Sequence, residues 1–291
     1  MSRSTAVFLP IALLVIAMTS IQSGASVAKG LFPLVGPEGT TALRLSLAAL
    51  ILGVIMRPWR TRPNFAAWRS LVGYGLSLGG MNLLFYMSLK TIPLGIAVAL
   101  EFTGPLALAL LSSRRLLDFV WVVLAVFGLW LLLPDTRSTD HLDPLGMALA
   151  LGAGLCWALY ILFGQKAGAA HGSQTVVFGT LVAALLVFPI GLSQAGSTLF
   201  SLDLLPIALA VAVMSSALPY SLEMFALTRM PARTFSILMS MEPAIAALSG
   251  LLFLSERLAA SQWLAIGAII LASAGAAATI RPQGKPPVGE P

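Results

Sequence analysis

SLGGMNLLFYMSLKTIPLGIAVALEFTGPLALA, residues 77–109, and SSALPYSLEMFALTRMPARTFSILMSMEPAIAA, residues 215–247, decide how this chain is read. Offset by 138 residues, they place Pro93 over Pro231 and Pro105 over Pro243. Ser77, Leu84, Leu89, Leu100, Ala109 and the following Leu110 also meet identical partners. Leucine and alanine coincidences are common in apolar sequence, so the two prolines carry most of the signal. Working outward from them, five apolar blocks fit in each half. An odd number of spans turns the second copy upside down. Inverted repeats with proline-interrupted helices point to a secondary transporter and to the place of its site.

The 291 residues are 58% hydrophobic and 10% charged, with mean hydropathy +0.94. Soluble domains carry about 25% charged residues. The composition predicts an all-α polytopic membrane protein. Runs of about 20 apolar residues give ten transmembrane helices: 7–28, 39–56, 70–89, 94–112, 117–133, 145–164, 174–192, 204–227, 234–254 and 261–280. The first repeat then covers 1–143 and the second 144–280. Residues 281–291, rich in Pro and Gly, are expected to form a disordered cytoplasmic tail. Arg3 followed by an apolar run has the outline of a signal peptide. That run reaches Ala28, too long for an h-region of roughly 7–15 residues, and reads as a retained first helix.

Charge sets the orientation. With the amino terminus inside, twelve Lys and Arg fall in cytoplasmic segments: Arg3, Arg57, Arg60, Arg62, Arg69, Arg114, Arg115, Lys166, Arg229, Arg233, Arg281 and Lys285. Four fall outside: Lys29, Lys90, Arg137 and Arg257; the last, Arg44, lies within a span. This bias puts both termini in the cytoplasm of an inner-membrane protein. It also accounts for the net charge of +6 without any nucleic acid. The 134–143 loop, with Asp135, Asp140 and Asp143, faces out. One cysteine, Cys156, and two histidines in different loops, His141 and His171, give no basis for a disulfide or a metal site. There is no HExxH, Walker A sequence or Gly-rich phosphate loop, hence no sign of ATP-driven transport or of a cofactor.

Charges inside spans cost roughly 2.5–3.5 kcal/mol each at a helix centre on insertion scales. Glu101 lies in the fourth span, Glu242 at similar depth in the ninth, Glu223 in the eighth near its cytoplasmic end, and Arg44 in the second. Glu101 and Glu242 belong to corresponding helices, and their repeat positions differ by three, which keeps them on one helical face. Each sits beside a proline, Pro105 or Pro243, that frees a backbone carbonyl one turn back. Such a carbonyl is tolerated at membrane depth where it lines a cavity or finds a protein partner. Glu101 to Pro105 and Met241 to Pro243 therefore read as two halves of one central site. The competing reading is structural: an acid pairs with a base or caps a broken helix, Arg44 snorkels outward, and Lys29 and Lys90 anchor at the interface. Among uncharged polar residues, the serines suit helix packing. Gln22, Asn82 and Tyr220 are larger and make better pocket candidates; Tyr86 stands in the same polar group as Asn82.

The segments Ala17–Ser26, Gly75–Asn82, Ile92–Pro105, Asp118–Val126, Ala217–Met224 and Leu238–Pro243 resemble the drug/metabolite transporter superfamily, EamA type. The resemblance spans the whole chain. It implies ten helices in two inverted five-helix repeats. It also implies export of small neutral amino acids such as threonine and homoserine, driven by proton exchange. Fold does not fix cargo, so a metabolite or drug exporter of the same fold stays open. The first helix lacks the essential acid of small multidrug exporters, which weakens a cationic-drug reading. An intramembrane lipid-modifying enzyme lacks paired catalytic groups at a membrane face. A structural subunit has no need of buried acids beside helix breaks. For a zwitterionic amino acid, Glu101 is expected to meet the ammonium, and Arg44, Gln22 or a half-helix amino end the carboxylate. Asn82 or Tyr220 would bond a side-chain hydroxyl. Glu101, Glu223 and Glu242 are the proton-coupling candidates, because a carboxylate in a low-dielectric cavity can alternate between proton and substrate.

The twelve-to-four charge split predicts that reporters fused to either terminus read cytoplasmic and that one inserted between Asp135 and Asp143 reads periplasmic. A periplasmic carboxyl terminus would end the ten-span arrangement.

Overall fold

Apolar segments with no water to bond their peptide groups close those bonds internally, and helices do so within one segment. The computed structural model describes residues 3–60, 68–111, 116–132, 143–227, 229, 235, 238–239, 241–256 and 258–279. Its helices are α1 Arg3–Lys29, α2 Phe32–Met56, α3 Trp68–Ser88, α4 Leu94–Glu101, α5 Thr103–Leu111 and α6 Leu116–Leu132 in the first half. The second half holds α7 Pro144–His171, α8 Gln174–Ala195, α9 Leu205–Ala212, α10 Leu218–Leu227, α11 Glu242–Leu254 and α12 Ala260–Thr279. A π turn, Val213–Ala217, joins α9 to α10. Pro231, Arg62, Arg114, Arg115, Arg233, Arg257, residues 133–142 and the tail after 279 lie outside the described residues, and with them the expectations placed there.

The helices differ from the expected spans in instructive ways. Gly36 (φ 69°, ψ 170°) interrupts α2, so its continuous helix begins at Pro37. Thr40 and Thr41 bond back to the carbonyls of Gly36 and Pro37, both at 2.7 Å. α7 runs past the expected end at 164, so Lys166 and His171 belong to a helix and not to a loop. Hydropathy measures the apolar stretch, whereas the helix continues until Gly172 (φ 56°) stops it. The fourth span is two helices, broken at Phe102, and α11 begins at Glu242 after a turn at Met241.

Side chains are distributed inside out relative to a soluble protein. Leu50, Val54, Ile55, Leu155, Leu185, Leu252 and Leu264 are exposed, while Gln22, Arg44, Asn82, Glu101, Glu223 and Glu242 are buried. An apolar exterior of this extent fits a lipid surface. Among the described residues, five stretches are long and apolar enough to cross a membrane: Ala12–Lys29, Phe32–Met56, Pro144–His171, Gln174–Phe200 and Leu202–Ala226.

Packing joins the two halves. α2 lies along α8, α3 along α7, α6 against α12, and α4 across α11, with α1 against α10 and α11. Small residues allow the closest approaches. A Cβ on Gly154 of α7 would lie 2.5 Å from the Glu101 carbonyl oxygen, and one on Gly104 would overlap the Gly154 carbonyl. Phe102, at the break, packs edge-on against Trp157 at 5.9 Å between ring centroids.

Polar ties hold the helix ends. Lys29 is not a free interfacial anchor: its Nζ meets Glu256 Oε1 at 2.8 Å. Glu256 Oε2 accepts the Leu94 backbone N–H at 3.0 Å, placing a carboxylate at the amino end of α4. Asp143 caps α7 by accepting from the backbone of Leu145 and Gly146 at 3.2 and 3.0 Å. The Thr91 hydroxyl, then these N–H groups, hold the Asp143 carboxyl below its ordinary range.

Gly154→Val should separate α7 from the α4–α5 break and destabilise the protein by roughly 1–3 kcal/mol, as overpacking does. Gly267→Ala, with nothing within 4 Å of the added carbon, should be neutral or mildly stabilising. Melting curves of the two variants in detergent check the contrast. Equal melting temperatures would mean that the α4–α7 contact yields freely.

Candidate functional site

A proline in a helix has no N–H for the carbonyl four residues earlier. Pro105 thereby leaves the Glu101 carbonyl without its helical partner, and Gly154 packs directly against that oxygen. In the eighth span two distortions act together. The Leu218 N–H bonds back to Val213, five residues earlier, in the π turn. Pro219, next in sequence, has no N–H to offer Met214 or Ser215. Both carbonyls are used by other helices. Ser20 Oγ of α1 donates to Met214 O at 2.6 Å, and Arg44 Nη1 of α2 donates to Ser215 O at 3.1 Å.

Arg44 does not snorkel. It is 3% exposed and turned inward. Its Nη2 donates to Asn82 Oδ1 and its guanidinium lies 4.3 Å above the Tyr86 ring. Tyr220 Oη donates to the same Asn82 oxygen at 2.9 Å, and Asn82 Nδ2 donates to Leu78 O at 2.7 Å. Asn82 is thus fixed from three directions, and with it the arginine.

Around this cluster lies one pocket. The sequence candidates Gln22, Arg44, Asn82, Glu101, Tyr220, Glu223 and Glu242 all line it, from α1, α2, α3, α4, α10 and α11. Its ≈ 50 Å³ cavity is several times the roughly 10–15 Å³ that one water needs on that measure. Gln22 Nε2 donates to Glu242 Oε1 at 2.8 Å, and Tyr160 Oη to Glu223 Oε2 at 3.4 Å. Glu223, expected apart from the other acids near the end of its span, shares their cleft. Pro105 and Pro243 are not among the lining residues; each occupies the first turn of the helix that restarts after a break, α5 or α11.

The pocket also uses residues that the sequence reading did not single out. Tyr86, Tyr160 and Trp157 line it. Tyr160 stacks on Tyr74 at 4.8 Å between centroids. Pro219 had a legible signal: the four-residue rule applied to Pro105 and Pro243 points equally from Pro219 to Ser215.

Residues 144–277 match the family described as the EamA-like transporter family. The threonine/homoserine exporter RhtA of Escherichia coli (strain K12) is 61% identical over 97% of this chain and 96% of its own length. The chain belongs to the EamA-like transporter family. It is a membrane transporter and not an enzyme. RhtA of Salmonella typhimurium (strain LT2) is 62% identical over 96% of this chain and 95% of its own. A protein of known crystal structure, 17% identical, matches with a TM-score of 0.63 over 94% of this chain and 97% of that one, a likeness of fold alone. The pocket described above is lined by polar side chains from both halves of the chain.

Pro219→Ala supplies an N–H that can bond Ser215 O in place of Arg44. Transport should fall by at least about tenfold, the value of one hydrogen bond to a charged group, while the melting temperature holds or rises. Flux assays and thermal melts on the same preparation check this; unchanged flux would show that Arg44 does not need the Ser215 carbonyl.

Proposed function

We propose that this protein exports threonine and homoserine from the cytoplasm across the bacterial inner membrane, in exchange for protons. The observation that carries the proposal is one pocket holding three carboxylates and one guanidinium, in a chain 61% identical to a threonine/homoserine exporter. A zwitterionic amino acid needs acceptors for its ammonium and donors for its carboxylate, and the cleft offers both. With all four groups ionised it carries an excess of two negative charges (three carboxylates less one guanidinium). Buried charge of one sign is costly, and a bound ammonium or proton offsets it. Glu101, Glu223 and Glu242 are the groups that take up and release the proton, with Glu101 the principal one. Asn82 and Tyr220 hold Arg44 in position for the substrate.

The proposed arrangement is ten transmembrane helices in two inverted repeats, 1–143 and 144–280, with both termini and the 281–291 tail in the cytoplasm. The Asn82–Tyr220 hydrogen bond supports it, because these residues are 138 positions apart, the offset of the sequence repeat. Two positions related by a two-fold axis touch only near that axis. Pairing of α2 with α8 and of α6 with α12 is the pattern expected when a helix meets its own counterpart at that offset. Such repeats rocking about a central site give alternating access.

Glu101→Gln keeps shape and hydrogen bonding but cannot carry a proton. In proteoliposomes loaded with labelled threonine, an imposed pH gradient should drive efflux by the wild-type protein and only background efflux by the variant, at equal incorporation. Wild-type rate and pH dependence in the variant would move the proton site to Glu223 or Glu242. Efflux of a different metabolite in preference to threonine and homoserine would overturn the cargo.

A further inference from the structure

The pocket's hydrogen-bonding inventory is incomplete, and what is missing describes a ligand. Among the described residues, four of its buried polar atoms have no partner: Gln22 Oε1, Glu242 Oε2, Arg44 Nε and Tyr86 Oη. Their residues are 2%, 4%, 3% and 1% exposed, so bulk water does not satisfy them. Buried polar groups are rarely left unpaired in folded proteins. Two of these atoms are acceptors. One is a donor, and the phenol beside a guanidinium is best used as a second donor to an anion.

They are also segregated. The two acceptors belong to α1 and α11 and are side by side, since Gln22 Nε2 already donates to Glu242 Oε1 at 2.8 Å. The two donors belong to α2 and α3, on side chains in contact, the Arg44 guanidinium lying 4.3 Å from the Tyr86 ring centroid. An α-amino acid presents the complement on adjacent atoms: a cationic N–H donor group and an anionic pair of oxygens. Asn82 and Tyr220 do not compete for it. Asn82 Oδ1 already accepts from Arg44 and Tyr220, and Asn82 Nδ2 donates to Leu78 O.

Resting on the amino-acid reading of this pocket, we propose that the zwitterion binds in one orientation. Its ammonium lies between Gln22 Oε1 and Glu242 Oε2, and its carboxylate between Arg44 Nε and the Tyr86 hydroxyl. Tyr86 is thereby a substrate-binding residue, and Glu242 rather than Glu101 is the anionic partner of the ammonium. Glu101 is left to exchange its proton without releasing the substrate's own contact.

The test measures binding to the purified full-length protein in detergent, with three probes. They are threonine, threonine methyl ester, whose carboxylate is masked, and 2,3-dihydroxybutyrate, whose ammonium is replaced by a hydroxyl. Wild-type protein should prefer threonine over both analogues. Tyr86→Phe keeps the ring under Arg44 and removes only the hydroxyl. It should weaken threonine binding about tenfold and leave the ester's unchanged. Glu242→Gln should weaken threonine at least about tenfold and spare the dihydroxy acid. Thermal melts show whether each variant is folded; if Glu242→Gln is not, Tyr86→Phe decides alone. Wild-type affinity for threonine in Tyr86→Phe overturns the proposal, and so does an equal loss for threonine and its ester. Wild-type binding of another zwitterionic amino acid, with neither threonine nor homoserine bound, overturns the cargo alone and leaves the orientation to be measured with that amino acid. Binding of no zwitterion overturns both.

Discussion

A buried guanidinium is the constraint around which this molecule is arranged. Taking a cation out of water costs several kcal/mol even after relaxation, and Arg44 is 3% exposed. Its compensation comes from three groups on two other segments, α3 and the π turn. An amide oxygen arrives from α3, a backbone carbonyl from the α9–α10 distortion and a ring face from Tyr86. None of these is generic. The amide is fixed only because Tyr220 and the Leu78 carbonyl hold it. The backbone carbonyl is available only because a π turn and Pro219 leave it over. Each support removed leaves the buried charge less compensated unless a new bond forms in its place.

Helix breaks and small residues work as a pair. A break exposes carbonyls, which at membrane depth need a partner. A small residue on the facing helix brings that partner close. Gly154 covers the Glu101 carbonyl, and Gly24 lies against Ser215, where an added Cβ would stand 2.8 Å from the serine Cβ. The glycines are thus placed by the same demand that places the prolines. This is why irregular backbone collects beside the pocket while α2 and α8 pack as long helices beside one another.

Much of this was legible because the membrane restricts what a sequence can mean. Apolar length predicted an all-helical membrane protein, and a polar residue inside an apolar run predicted a role. Gln22, Arg44, Asn82, Glu101, Tyr220, Glu223 and Glu242 were found by that rule and share one cleft. The misses have physical causes. Hydropathy ends the α7 segment at 164 because it reports the apolar stretch, whereas Lys166 and His171 continue the helix beyond it. Lys29 was read from its position near a helix end, and its partner Glu256, 227 residues away, is invisible to local pattern. Tyr86 looked like one more polar residue on α3. What distinguishes it is an unpartnered hydroxyl, a property that exists only once every neighbour is placed.

The charge pattern of the cleft bears directly on the proposed exchange. A transporter that swaps a proton for a substrate must make the two compete, or it leaks one without the other. Competition does not require one shared atom. It requires that either cation relieve the same electrostatic excess, so that binding one weakens the other, a reciprocal coupling of sites. Three carboxylates and one guanidinium lining one cleft have that property, because each positive charge that enters lowers the attraction for the next. Two of the acids face distinct neutral partners, Glu242 the Gln22 amide and Glu223 the Tyr160 phenol. The acids are therefore unequal, and a cleft of unequal acids can hold a substrate at one while a proton leaves another.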